Sequence, residues 1–455
     1  MGMSVDKNAK RIAVIGGGAS GMAAAIVASS PAPASSSDPV SSSVPVSSSV
    51  PASLQSAGLA PDTAVTLFEH RSELGKKILA TGNGRCNLGH ASIDIEAFHS
   101  SKKEGEELIG KILEQFGPSD TMSFFNGLGL WVKDMDGYLY PESEQALSVR
   151  EVLAAELNRR GVEVVLNSDI SVIKHNPDGT FTVVNNGKDY IFDKVILSCG
   201  SYAGIASKDR IQSDRDGYSL AYGLGHKVIK VKPALCGIEC GDGAMHSYLA
   251  GVRVKGSVTV TAFEDNSLSE DSNKKYSSRG EIQFTDYGIS GIPVFDISRY
   301  IGGDEKVEII IQFLDNFGWE KRVSDYFGRC VADLFRGTVN SKLADYYIKE
   351  LLKIKTEDVI DSNIKEKLLS VGFGTLNIPG PYKTRKFENA QVCRGGIPLD
   401  EVNENLESKV CPGLYVTGEM LDADAICGGY NLHWAWATGC IAGRAVRESL
   451  TAQES

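Results

Sequence analysis

The chain is predicted to be an α/β protein of two or three domains. Three observations predict it. A chain of 455 residues is too long to close around one small core. Its beginning, Arg11 to Gly21 (RIAVIGGGASG), runs a short apolar strand into a glycine turn, and a helix of small residues follows from Met22 to Ala28. Beyond position 228, alternation of apolar and polar residues gives way to charged stretches with helical periodicity.

The first element carries chemistry in its spacing. Gly16 allows a tight turn out of the strand, Gly18 lets a pyrophosphate approach the backbone, and Gly21 lets helix and strand pack closely. The free N–H groups and positive dipole end of the helix then face the phosphates. The pattern is that of a dinucleotide site in a doubly wound sheet.

Residues 29–63 come next, rich in Ser, Pro, Ala and Val and almost without charge, with PVSSSV nearly repeated. Such a stretch cannot bury a core and is expected to be a disordered surface insert. The second strand is expected at Ala64 to Phe68, and Glu69 follows it. An acid at that strand end takes the ribose hydroxyls about 20 residues past the glycines. The insert accounts for the longer spacing here.

Ser148 to Arg160 has helical periodicity, closed by Gly161, and Val162 to Leu166 reads as a strand. Phe181 to Val184 and Tyr190 to Phe192, joined through Asn-Asn-Gly, read as a hairpin. Lys194 to Gly200 is a buried strand ending at a glycine. Residues 228–312 are expected to be β-rich and 317–371 to form a small helical unit, before a glycine-rich C-terminus.

Three further blocks point to a cofactor. Leu74 to Asn87 follows Glu69 closely; Gly82 and Gly84 keep its backbone open, Lys76, Lys77 and Arg85 can meet phosphate, and Asn87 offers an amide. By composition alone this is a basic turn; its placement after the ribose acid points to cofactor contact. Gly413 to Asp422 ends a strand at Thr417-Gly418-Glu419, where the acid can accept from ribityl or ribose hydroxyls. Gly428 and Gly429 then open a helix containing Trp434 and Trp436. That helix is either a buried tryptophan helix capped by glycines or one whose N-terminus faces a flavin pyrimidine edge, stabilising the negative charge that reduction places there. Matched glycine turns at both ends of the chain favour the second.

Together these blocks, with Tyr138 to Pro141 and Glu281 to Gly291 (EIQFTDYGISG), resemble the BaiN-like family of FAD-dependent oxidoreductases over nearly the whole chain apart from the serine-rich insert. The resemblance implies an FAD-binding doubly wound domain at 9–230 and 390–450. It implies that a β-barrel-like cap at 231–316 and 372–389 interrupts this domain and carries the helical insertion 317–371. It assigns the cofactor to Gly16, Gly18, Ala19, Ser20 and Gly21, to Glu69, and to Lys77, Gly82, Gly84, Arg85, Cys86 and Asn87. At the C-terminal end it adds Gly418, Glu419, Gly428, Gly429, Tyr430, Asn431 and Leu432. The chain departs from the family pattern at Asp286 (usually His), at Ala425 (usually Gly) and in Ser213 to Asp216. These lie where substrate would enter, so the resemblance carries the cofactor rather than one particular substrate.

One nucleotide-binding turn is present, since Gly223-Leu-Gly225 follows no buried strand and lacks a third glycine. NAD(P)H is therefore expected to dock transiently while FAD is held non-covalently; His70 and Cys86 lie near cofactor blocks but form no convincing attachment site. The expected reaction is NAD(P)H-driven reduction of a carbon–carbon double bond conjugated to a ketone in a small hydrophobic substrate, of the dehydro bile acid type known among members. An oxygen-using amine oxidase and a non-catalytic flavin-binding redox sensor or accessory protein are the alternatives. Tyr430, His433, Arg85 and Tyr287 are the catalytic candidates by position, each with packing or cofactor contact as its other reading. Cys86 and Cys427 lack the short motif of a redox pair.

Charge and composition bound the rest. The net charge of -11 speaks against nucleic acid and anionic membranes as partners. No stretch reaches the length of a membrane span, and Met1 to Lys10 has no apolar run, so no secretory signal is expected. Nine scattered cysteines fit a reduced, cytoplasmic protein, and the seven histidines do not cluster with them at zinc-ligand spacing. The oligomeric state is not written in the sequence.

Overall fold

The computed structural model describes residues 9–29, 63–204, 216–263, 274–302, 306–314 and 318–451. Residues 30–62 of the serine-rich segment, and Ser213 to Arg215 of the altered turn, lie outside the described residues. Of the segment's two ends, Ser29 caps the first helix and Thr63 already belongs to the second strand. The chain divides into two units: residues to 202, 216–232 and 394 onward in the first, and 203–204 with 233–393 in the second.

The first unit is built on a five-stranded parallel sheet in the order Leu414–Val416, Lys194–Leu197, Lys10–Ile15, Thr63–Phe68, Glu163–Val165. The first strand lies in the middle, and the chain moves outward from it in both directions. Its last four residues are buried, as are those of Thr63–Phe68. This continuous burial, apolar except for Thr66, is expected of strands covered on both faces. Helix Ala146–Arg159 contributes Val149, Leu153 and Leu157 to the same core. The hairpin Phe181–Asn185 and Lys188–Phe192 forms with Tyr190 opposite Val183, and Ile170–His175 extends it to three strands.

The first helix, Ala19–Ala28, packs on the C-terminal helix Tyr430–Thr451 through backbone-close contacts. A Cβ on Gly439 would lie 2.4 Å from the Ser20 carbonyl oxygen, and one on Gly443 2.5 Å from that of Ala24. Two turns of one helix thus require the absence of side chains, which is why a glycine is tolerated there despite its helix cost.

The second unit holds a seven-stranded antiparallel sheet. Its order is Thr375–Ile378, Lys306–Gln312, Arg253–Phe263, Lys274–Phe284, Gly288–Ser290, Ile238–Glu239, Lys383–Thr384. Alternating residues face its core: Val258 pairs with Ile311, Val260 with Ile309, and these with Leu376 and Ile378. Among the described residues the two end strands do not pair, so hydrogen bonding does not close this sheet into the barrel that the resemblance implies. Residues 318–371 form short helices, Trp319–Asp325, Val331–Phe335, Ser341–Tyr346 and Ser362–Val371. Val323, Leu334 and Phe335 of these helices, with Tyr347 of the helical turn Tyr347–Leu351, share one hydrophobic core with the sheet.

Candidate functional site

The parallel strands end level with one another. Ile15 lies opposite both Phe68 and Leu197, Leu197 opposite Val416, and Phe68 opposite Val165. The ladder runs one bond further through Gly16 N–H to Phe68 O (2.8 Å), Ser198 N–H to Ile15 O (2.8 Å) and Thr417 N–H to Leu197 O (3.0 Å). Gly16, Glu69, Ser198 and Gly418 therefore leave the sheet together at its carboxyl edge. The first strand is where the winding reverses, the position at which open α/β sheets bind their ligands.

The glycine turn fits a phosphate by what it leaves open. A Cβ on Gly21 would stand 1.8 Å from Gly16 O, so only glycine lets the helix come down on the turn. A Cβ on Gly18, by contrast, would meet nothing within 4 Å. Gly18 is the N-cap of Ala19–Ala28, no side chain caps that end, and its first turn holds no acid. Uncapped helical N–H groups beside open space form a donor set for an anion.

Glu69 is 7% exposed. One carboxylate oxygen accepts from Gly17 N–H (2.8 Å), the other from Arg71 N–H (2.8 Å), with His70 Nδ1 at 2.9 Å. Burial pushes its carboxyl up, but the His70 and Arg71 hydrogen bonds, the His70 charge and the Gly17 bond together hold it below the usual range. The acid at the strand end thus braces the glycine turn directly.

The Leu74–Asn87 block meets the far end of the chain at Glu419. Lys77 Nζ lies 2.7 Å and 3.0 Å from its two carboxylate oxygens. Ser201 Oγ donates to Glu419 at 2.6 Å, and the Tyr218 hydroxyl donates to its carbonyl at 3.1 Å. Gly82 (φ +55°), Gly84 (φ +84°) and Cys86 (φ +61°) all lie in the left-handed region, and the short helical turns Ile78–Gly84 kink at Thr81 to Asn83. The Arg85 guanidinium sits 4.8 Å over the Tyr140 ring and 3.8 Å from Glu144. Cys86 is fully buried, and burial pushes its thiol up to about 12, which makes it inert. Among the described residues, which include all nine cysteines, no disulfide forms.

Tryptophans tie these blocks to the C-terminal helix. Trp434 Nε1 donates to Gly418 O (3.2 Å) and Trp436 Nε1 to Leu88 O (3.0 Å). Gly418 N–H donates to Thr438 Oγ1 (3.0 Å). A Cβ on Gly429 would lie 2.6 Å from Gly89 O and 2.7 Å from Asn87 Oδ1. The helix is therefore both a buried tryptophan helix and the element that brings Gly428 and Gly429 against the Asn87 block.

Other predicted site residues have structural work. The Asn431 amide clamps the preceding loop, accepting from Ala425 N–H (3.0 Å) and donating to Ala425 O (2.8 Å). Leu432 packs against the core. His433 is fully buried; its Nε2 lies 3.0 Å from Phe116 O and its Nδ1 2.9 Å from Thr121 Oγ1. Burial lowers its pKa to about 4, so the ring is neutral, donates to the carbonyl and accepts from the threonine. Tyr287 belongs to the second unit, beneath the Arg385 guanidinium at 4.3 Å. Ser201, Tyr218 and Thr438 are not singled out by the sequence, whereas Thr417 stands in the Thr417-Gly418-Glu419 strand end, directly after the parallel strand Leu414–Val416. Among the described residues, no group of three or more His, Cys, Asp or Glu could hold a metal ion, and no helix is long and apolar enough to cross a membrane.

The family model of the HI0933-like protein Rossmann domain matches residues 50–445. The 3-dehydro-bile acid delta(4,6)-reductase of Clostridium scindens is 36% identical over 462 residues, covering 96% of this chain and 99% of its own. The ribosomal RNA dihydrouridine synthase of Escherichia coli is 24% identical over 384 residues, covering 82% of this chain and 90% of its own. The solved 3-ketosteroid-delta4-(5alpha)-dehydrogenase of Rhodococcus jostii RHA1 aligns over 98% of both chains at 14% identity, with a TM-score of 0.43. The chain is an enzyme, an FAD-dependent oxidoreductase, and it belongs to the HI0933-like family.

Proposed function

We propose that the enzyme reduces a carbon–carbon double bond conjugated to a ketone in a small hydrophobic substrate of the dehydro bile acid class, with NAD(P)H as transient electron donor. The 36% identity to a named reductase over nearly the full length of both chains carries this reading. The second relative's name adds to it, because a uracil ring, like a dehydro 3-ketone, presents a double bond conjugated to a carbonyl. The net charge of -11 supports a small molecule rather than a nucleic acid as substrate. The nine scattered cysteines of the sequence support a cytoplasmic setting.

Bound non-covalently, FAD would supply hydride transfer at its ring. Gly16, Gly18 and Gly21, with the N-terminal amides of Ala19 and Ser20, would seat the pyrophosphate. Glu69 would take ribose hydroxyls while it braces Gly17. Gly82, Gly84, Arg85, Cys86 and Asn87 would line the cofactor with backbone and amide groups. Lys77 and Glu419 would hold ribityl hydroxyls, with Ser201 orienting the carboxylate. Gly428, Gly429 and the first turn of Tyr430–Thr451 would face the electron-rich edge of the flavin, where helix N–H groups favour negative charge.

The test is product analysis. The FAD-loaded enzyme incubated anaerobically with NADPH or NADH and a 3-oxo-Δ4,6 bile acid is expected to yield a product two hydrogens heavier for each double bond reduced. Absence of reduction with either nicotinamide, together with flavin bleaching by an amine, would replace this reading with the oxidase.

A further inference from the structure

Tyr430 opens the C-terminal helix directly after Gly428 and Gly429. The residue is buried, at 9% exposure. The ring stacks on His90 (5.5 Å between centroids, 13° between planes) and meets Phe98 edge-on at 5.8 Å. Tyr138 stands edge-on to the same His90 ring at 5.3 Å. A Cβ on Gly428 would meet the Tyr430 ring at 3.0 Å and the Tyr138 ring at 3.5 Å, so both phenols gather over this turn.

The hydroxyl adds nothing to this packing. A buried tyrosine normally finds a partner for its O–H. Tyr218 and Tyr347 do so here, each donating to a backbone carbonyl. The Tyr430 hydroxyl bonds to no other described residue and is not sealed from solvent, so its O–H is available to a ligand. Packing alone would be served by phenylalanine. The groups facing the phenol are Asp94, Tyr138 and His90; burial first, then the Asp94 charge and Tyr138, push its pKa up and keep it a donor.

We propose that the Tyr430 hydroxyl, carried on the His90, Tyr138 and Phe98 shelf, is the donor that binds the substrate's ketone oxygen. This rests on the conjugated-ketone reading above. When hydride adds to the far carbon of such a system, negative charge develops on the carbonyl oxygen, and a placed O–H donor holds it. The residue acts by hydrogen bonding, without covalent chemistry.

The FAD-loaded full chain is titrated with a saturated 3-oxo bile acid and with its 3-deoxy counterpart, reading the perturbation of the flavin spectrum. The wild type is expected to bind the ketone about tenfold more tightly, the worth of one hydrogen bond to a group of this kind. Tyr430→Phe is expected to bind both alike, and to reduce the dehydro substrate about a hundredfold more slowly. A ketone preference retained by Tyr430→Phe overturns the assignment alone. A wild type without any ketone preference overturns both the assignment and the substrate class. Should Tyr430→Phe fail to load flavin, fluorotyrosine placed at position 430 keeps shape and hydroxyl. Its more acidic phenol is expected to lose the ketone preference at lower pH than the wild type, and an unchanged pH profile contradicts the proposal.

Discussion

Glu69 accepts from Gly17 N–H within the glycine turn, and in the proposed site the same carboxylate would also take ribose hydroxyls. Glu69→Ala removes both, leaving a turn amide without its charged acceptor. Bonds to a charged group are worth roughly 1.5–3 kcal/mol, so FAD affinity is expected to fall by about 10- to 150-fold by equilibrium binding. His433 makes a different forecast. Folded, it resists protonation to about pH 4, against an ordinary value of 6.5. As pH falls between those values the unfolded state takes up a proton that the folded state refuses, and stability drops by about 1.4 kcal/mol per pH unit from this group. Above that window the contribution is complete. Denaturant titrations at several pH values check this: His433→Phe should start less stable, with Thr121 and Phe116 O left unpaired, but its stability should fall less steeply on acidification. An identical slope in both proteins contradicts the assignment.

Among elements, the contact between Ala19–Ala28 and Tyr430–Thr451 joins the two ends of the chain at the site. Its closeness depends on Gly439 and Gly443, where a Cβ would stand 2.4 and 2.5 Å from facing carbonyl oxygens. Gly443→Val cannot be absorbed by a rotamer change, since the obstacle is backbone. A loss of about 1–3 kcal/mol or more is expected by thermal or denaturant unfolding. Flavin content should fall with it, because the same shift moves Gly18 and Gly428.

Much at this scale was legible in the sequence. The central parallel strands end in buried, largely apolar runs, the hairpin carries its own Asn-Asn-Gly turn, and the glycine spacing at 16–21 demands one local geometry. What was hidden depends on distant partners. His433 looked available for proton transfer because nothing nearby in sequence reveals that Phe116 and Thr121 occupy both ring nitrogens. The Asn431 amide looked free for a cofactor but is spent on the loop at Ala425. The helical stretch after 318 reads as one unit by periodicity, whereas its apolar residues complete the core of the neighbouring sheet. The open order of that sheet is a matter of which strands pair, and alternation alone does not specify pairing.

At the scale of the molecule, the two units have separate hydrophobic cores, and every residue proposed to hold FAD belongs to the first. Hydrogen exchange is therefore expected to show FAD protecting amides around residues 16–21, 82–87 and 428–432 of that unit. Stripping the flavin should abolish turnover, and adding FAD should restore it. The central claim is that electrons pass from a nicotinamide through this flavin to a conjugated ketone. The most direct measurement is an anaerobic two-stage titration of the FAD-loaded enzyme, followed by visible flavin absorbance. NADPH or NADH should bleach the flavin, and a 3-oxo-Δ4,6 bile acid should then restore its colour in proportion to the double bonds reduced. A flavin that neither nicotinamide bleaches, or that the dehydro bile acid leaves reduced, contradicts the account.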